Sequence, residues 1–273
     1  MDKKSFPIFF SLILSATILI SGCATTGPGG KQSFIIVPVE QEVSIGAGMA
    51  EELEKTEKFL PDQEWQDYIN RVGQKIVAVS DRKDIEYHFK VIESDQINAF
   101  AAPGGFVYFY SGLLREMDNE SEMAAVMAHE ISHVVARHSV RNIQAALGVS
   151  MAYELVFGDE DNKVRDLAIG VGMNLLFAKY SRDYEREADS YGIQYMVKAG
   201  YNPNGAVTMF QKLAELGGSG GSGIFEAFSS HPESQERIAN AKSQIANMQP
   251  LSSSLTTGTT YYQQMRSRFP AKK

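Results

Sequence analysis

The chain has 273 residues, 44% apolar and 22% charged, with 33 acidic against 26 basic side chains and a formal net charge of −7. That length is enough for one well-buried domain, and the acidic balance excludes nucleic acid or an electrostatic grip on anionic lipid, since both reward a basic patch. A single cysteine excludes an internal disulfide framework, so stability must come from packing.

Lys3 and Lys4 precede an apolar run over 6–20, followed by Ser21, Gly22 and Cys23. A short basic start, a short apolar core and small residues at the exit predict an export signal over 1–22. The run is too short and too soon broken for a convincing spanning helix. Its removal takes one acidic and two basic groups and leaves a charge of −8. Gly27-Pro28-Gly29-Gly30 then reads as a flexible stalk within 23–39. A main domain is expected over 40–249, with a Ser- and Thr-rich tail over 250–273.

The stretches 40–57 and 64–80 read as amphipathic helices, the second with Trp65, Tyr68, Ile69, Val72, Ile76 and Val77 at helical spacing. Strands are expected at 86–93, 99–101 and 106–110, with Pro103-Gly104-Gly105 as the turn between the last two. His88 lies in the first of these, with nothing nearby to complete a site. A long helix is predicted over 121–146, and further helices over 163–179, 181–199, 204–216 and 232–247. The fold class is therefore α+β, mainly helical, with a small β-sheet beside the helix that begins near Ser121.

That helix carries His129-Glu130-Ile131-Ser132-His133. At about 100° per residue, positions i and i+4 share a face, so His129 and His133 can ligate one ion. Glu130 sits beside that face, where a general base can reach a water without being a ligand. His138, five residues beyond His133, is expected about 140° around the helix and away from the metal. Zinc needs a third protein ligand. Glu185 and Asp189 are again i,i+4 on a predicted helix, with Glu187 about 200° from Glu185. One reading is a carboxylate ligand with a second carboxylate that orients a ligand histidine; the other is a solvated acidic face laced with Arg182 and Arg186.

His129-Glu130-x-x-His133 followed by Ser181-Arg182-x-x-Glu185-x-Glu187-Ala188-Asp189 resembles the HtpX and CaaX prenyl endopeptidase family of zinc metallopeptidases, in its BepA- and LoiP-like periplasmic lipoprotein branch. The likeness runs over about 41–246 and includes Asn98-Ala99-Phe100-Ala101-x-Pro103-Gly104-Gly105. It implies a zincin-type fold with one Zn2+ per chain, Glu185 as the third ligand and Asp189 supporting a ligand histidine. It also implies an active-site role for His231 in His231-Pro232, either as a reversible fourth ligand or as a donor to the tetrahedral intermediate, and an electrostatic role for Arg237. Read without the resemblance, His231-Pro232 is a helix start. In zinc peptidases of this shape an extended peptide adds to a sheet edge, and Asn98, Ala99, Phe100 and Ala101 are the candidate edge strand; Asn98 alone also reads as a strand cap.

Ile20-Ser21-Gly22-Cys23 resembles the bacterial lipobox, which implies lipidation of Cys23 and a membrane tether of acyl chains. Ala24 at the following position favours the periplasm, at the inner leaflet of the outer membrane. The expected function is a zinc-dependent endopeptidase acting in quality control on unfolded or misassembled envelope proteins, with outer-membrane assembly machinery as a possible partner and no nucleic acid. The alternative is a metal-binding chaperone or assembly factor for outer-membrane proteins with little proteolysis. The apolar stretch 151–177 reads as a plug, a lid or a lipid-facing helix. Gly217-Gly218-Ser219-Gly220-Gly221-Ser222-Gly223 reads as a hinge ahead of His231.

Overall fold

A computed structural model describes residues 23–25, 27–157, 162–218, 231 and 235–269. The expected export signal, most of the Gly-Ser hinge and the expected helix start at Pro232 lie outside them.

A hairpin of β1 (Cys23–Thr25) and β2 (Gln32–Phe34) leads into α1 (Val39–Thr56) and α2 (Gln63–Val77). Asp62 caps α2 by accepting from the Trp65 amide. The second sheet comprises β3 (His88–Ile92), β4 (Ala99–Ala102) and β5 (Phe106–Tyr110), in the order β3-β5-β4, with β3 parallel and β4 antiparallel to β5. Helices α3 (Ser111–Glu116), α4 (Glu120–Val135), α5 (His138–Leu147), α6 (Val149–Phe157), α7 (Asn162–Leu175), α8 (Arg182–Lys198), α9 (Asn204–Gly218), α10 (Gln235–Asn247) and α11 (Thr259–Arg266) follow. None of the described helices is long and apolar enough to cross a membrane.

The two-residue period of β4 and β5 divides the interior into two cores. Ala99, Ala101, Val107 and Phe109 face the larger one, built with α2, α4 and α8 to α11. Phe100, Ala102, Tyr108 and Tyr110 face a smaller one under α1, α5 and α7. β4 and β3 are the two edges of this sheet. The Tyr110 amide donates to Asn98 O at 3.0 Å, and the register places Phe100 opposite Tyr108 and Ala102 opposite Phe106. Bonded pairs alternate in an antiparallel ladder, so the N–H and C=O groups of Ala99 and Ala101 point away from β5.

Three expectations need correction. The predicted helix over 121–146 is broken: α4 ends at Val135, Arg137 takes a left-handed conformation at φ 54°, and α5 starts at His138. Arg137 is held there by its Nε donating to Glu42 Oε2 at 2.7 Å and its Nη2 to Val37 O at 2.6 Å. The same Glu42 receives both Nη groups of Arg82, at 2.9 and 2.8 Å, and the Gly104 amide at 3.2 Å. Glu42, Arg82 and Arg137 are all buried, so one carboxylate ties α1, the end of α4 and the turn after β4 together.

The stalk is docked rather than free. Gly29 N donates to Asp81 Oδ2 at 3.0 Å, Lys31 pairs with Glu187 at 2.9 Å, and Ile36 N donates to Gln144 Oε1 at 2.7 Å. The 250–269 segment is also packed. Thr257 O accepts from the Ser121 amide at the start of α4, the Tyr262 hydroxyl donates to Leu114 O at 2.6 Å, and Phe269 stacks on Trp65 at 4.7 Å.

Candidate metal centre

α4 is buried from Ser121 to Val135 and is capped by Asn119, whose side chain accepts from the Glu122 amide. His129 and His133 stand on successive turns of it. α8 is capped by Ser181, whose Oγ accepts from the Tyr184 amide, and presents Glu185 and Asp189 on successive turns. The two helices approach closely where Gly192 meets α4: a Cβ there would lie 3.2 Å from the His129 amide nitrogen. That approach brings the two motifs into one cluster.

Ligand atoms of His129, His133, Glu185 and His231 lie within 4.8 Å of one another, all buried. The Nε2 atoms of His129 and His133 are 3.1 Å apart, and Glu185 oxygens lie 3.6 Å from the former and 3.5 Å from the latter. His231 Nδ1 is 3.2 Å from His129 Nε2 and 2.7 Å from Glu185 Oε1. Four ligands at about 2.0–2.1 Å around a tetrahedral ion stand about 3.3 Å from one another, so this donor set fits a zinc-sized ion. Glu130 Oε1 is 3.7 Å from His231 Nε2, while its buried Oε2 has no hydrogen-bond partner among the described residues.

The electrostatics suit deprotonated ligands. Burial pushes His133 well below the usual imidazole range. Burial alone would raise the Glu185 carboxyl, but His231, His133 and His129 hold it well below the carboxylate range. Burial likewise opposes charge on His231, yet the Glu185 and Glu130 carboxylates raise it to about 9.

Asp189 Oδ1 lies 2.9 Å from His129 Nδ1, the outer contact expected of a ligand imidazole. Arg237 forks onto Asp189 with Nη2 at 2.6 Å and Nε at 2.8 Å, and its Nη1 is 3.2 Å from Glu185 Oε2. This buried guanidinium thus braces both carboxylates.

His138 was expected to face away, but the break at Arg137 turns it back. Its Nδ1 is 2.8 Å from His133 Nδ1. Glu187, expected on the far side of α8 from Glu185, lies 3.5 Å from His138 Nε2. Sequence reasoning also passed over Tyr180, whose ring stacks on His133 at 4.2 Å. Its hydroxyl is 2.9 Å from Ser139 Oγ, which donates to Ala101 O on the β4 edge. The only sequence signal for Tyr180 was its place just before the Ser181 cap. No periodicity marked His138.

β4 passes beside α4, with Ala99, Phe100, Ala101 and the Asn98 side chain buried. Phe177 lies edge-on to Phe100 at 5.5 Å. A small depression lies here, with Ala101, Pro103, Ser139, Leu176 and Tyr180 among its walls. The edge is thus flanked by the end of the apolar 151–177 stretch and the residues that follow it.

Comparison with known proteins agrees with this arrangement. The chain is 30% identical over 230 residues to the Yersinia pestis "Beta-barrel assembly-enhancing protease", covering 81% of this chain and 47% of that protein. It is 36% identical over 173 residues to the Schizosaccharomyces pombe "Mitochondrial metalloendopeptidase OMA1", covering 63% of this chain and 50% of the relative. To the Escherichia coli "Metalloprotease YcaL" it is 32% identical over 167 residues, or 59% of this chain and 63% of the other. The chain spans about half the length of the first two relatives. Residues 63–245, which hold the sheet, both metal-bearing helices, His231 and Arg237, match the profile of one family, and the chain belongs to peptidase family M48.

Proposed function

We propose that the chain is a zinc-dependent endopeptidase, tethered by lipid at Cys23 in the cell envelope, that hydrolyses unfolded or misassembled envelope proteins. The observation that carries the reading is the convergence of His129, His133 and Glu185 beside a buried Glu130 carboxylate, one oxygen of which has no partner among the described residues. In this reading those three residues hold the ion, which when bound supplies Lewis acidity at neutral pH.

The chain's own groups do the rest. An extended peptide pairs with the N–H and C=O groups of Ala99 and the N–H of Ala101, the Ala101 carbonyl being held by Ser139; these recognise main chain and not side chains. Glu130 takes a proton from the attacking water and passes it to the leaving amine. His231, next to Glu185 and Glu130, is placed to donate toward the developing oxyanion. Asp189 holds His129, and Arg237 holds Asp189.

Relatives named for β-barrel assembly support an outer-membrane setting, with misassembled barrel proteins as substrates and their assembly machinery as a partner. The lipid anchor rests on the single cysteine following a short apolar run. A second reading, a metal-binding assembly factor with little proteolysis, is favoured by His231 Nδ1, which stands where a fourth ligand would.

Cleavage of unfolded casein by wild type, Glu130→Gln and His231→Ala, with zinc quantified in each, tests the proposal. Glu130→Gln should retain zinc and lose turnover by about 10²–10⁴-fold. Stoichiometric zinc without cleavage by wild type would move the weight to the assembly factor. Cleavage by Glu130→Gln at the wild-type rate would sink the mechanism.

A further inference from the structure

The two ligand histidines are supported differently. His129 leans directly on a carboxylate, Asp189, at 2.9 Å. His133 leans on a second imidazole. If His133 Nε2 offers its lone pair to the ion, its proton sits on Nδ1 and is donated to His138 Nδ1, 2.8 Å away. His138 must then accept at Nδ1 and carry its own proton on Nε2. That atom faces Glu187 Oε2 at 3.5 Å, and the same oxygen is bound by Lys31 Nζ at 2.9 Å. The tautomers of His133 and His138 are therefore coupled, and His138 in turn faces a carboxylate that an ammonium holds.

The geometry is braced. Tyr184 stacks on His138 at 4.0 Å with an interplanar angle of 7°, which opposes rotation of the ring, and Arg141 lies over Tyr184 at 4.4 Å. Lys31 belongs to the arm before α1. That arm is fastened on one side by Gly29 N to Asp81 and on the other by Ile36 N to Gln144 and by Val37 O to Arg137. His138 and Glu187 are buried, whereas the Lys31 side chain is 57% exposed. The chain of contacts thus begins at a metal ligand and ends at the surface, on the segment that joins the body to the expected anchor.

We propose that His138, Glu187 and Lys31 are positioning residues for His133, and that docking of the N-terminal arm through Lys31 sets how tightly the site retains its metal. The inference rests on the metal reading of His129, His133 and Glu185. Removing an outer partner of a metal histidine weakens binding by roughly 10–100-fold, and an exposed ion pair shifts an equilibrium by up to about fivefold.

The test is the zinc dissociation constant of the full chain, measured by competition with a chromophoric chelator, beside the melting temperature of the zinc-free protein. Lys31→Met should weaken zinc about two- to fivefold and Lys31→Arg should restore it, with the zinc-free melting temperature of both unchanged. Glu187→Gln should weaken it about tenfold, and the double variant Lys31→Met/Glu187→Gln should be no weaker than Glu187→Gln alone, because both act through one path. Dissociation constants within twofold of wild type, or fully additive effects in the double variant, would overturn the proposal. A lowered zinc-free melting temperature at constant zinc affinity would do the same, since a merely structural role predicts that. Failure of wild type to bind zinc at all would instead overturn the metal reading, and this inference with it.

Discussion

Gly192→Ala is the smallest change that separates the two metal-bearing helices. The new Cβ would stand 3.2 Å from His129 N, 3.3 Å from Ala128 C and 3.4 Å from Ala128 O. Comfortable contacts of this kind are about 3.5–4.0 Å, so α8 must retreat from α4 by about 0.3–0.5 Å. Metal sites tolerate about 0.2 Å in each bond, and Glu185 rides on the same rigid helix two turns away. Zinc affinity should fall about tenfold, or ~1.4 kcal/mol. Fold stability is the sum of a helix-propensity gain of about 1 kcal/mol and an overpacking loss of about 1–3 kcal/mol. The variant should therefore be less stable by up to about 2 kcal/mol. Gly170→Ala in α7, where a Cβ meets nothing within 4 Å, is the control; it should gain about 0.8–1 kcal/mol and leave zinc untouched. Chelator competition and urea unfolding measure both quantities. If Gly192→Ala binds zinc within twofold of wild type and gains stability as Gly170→Ala does, helix approach does not set the site.

Zinc binding to the metal-free protein at pH 7 should release close to one proton if His231 becomes a ligand, because its raised value near 9 keeps it protonated beforehand, and close to none if it stays a donor; calorimetry in buffers of different ionisation enthalpy counts the protons. For the same reason, the stability that His231 lends the metal-free protein is complete below about 6.5 and lost as pH rises through about 9, which thermal melts across that window will show. Glu42→Gln leaves the buried Arg137 without its paired carboxylate and Arg82 with only the half-exposed Asp84 at 3.3 Å, and should cost about 3–5 kcal/mol. At about 2–4 °C per kcal/mol the melting temperature should drop by about 6–20 °C; a drop under 2 °C would show that the clamp is not essential. Tyr262→Phe should cost about 1–2 kcal/mol in urea unfolding by orphaning the buried Leu114 carbonyl, and no measurable loss would mean the 250–269 segment is only loosely seated.

The parts of the site written as local periodicity were readable in the chain. His129 and His133, and Glu185 and Asp189, share helix faces because i,i+4 spacing is a property of the helix alone. The β3 strand showed through its alternation. What stayed hidden depends on partners far along the chain. Nothing about arginine foretells a left-handed residue at 137, since Glu42, 95 positions earlier, holds it there. The placement of His138 follows from that one backbone turn. Composition also misled at both ends: Gly-Pro-Gly-Gly suggested a loose stalk, and Ser and Thr over 250–260 masked Tyr262, Met265 and Phe269, which complete the core around Trp65. Arg237 lacked any motif of its own, and its bidentate grip on Asp189 became visible only once α8 and α10 were placed together.

The roof that residues 257–266 place over the start of α4 also orders events in time. Tyr262 closes onto Leu114 across 148 positions, and Arg266 onto Met117 across 149. At a synthesis rate of roughly 5–20 residues per second, about 7–30 s separate the emergence of these partners. Throughout that interval the helix bearing His129, Glu130 and His133 exists without its last neighbours. The surroundings of this helix are therefore completed only after residues 257–266 have been made.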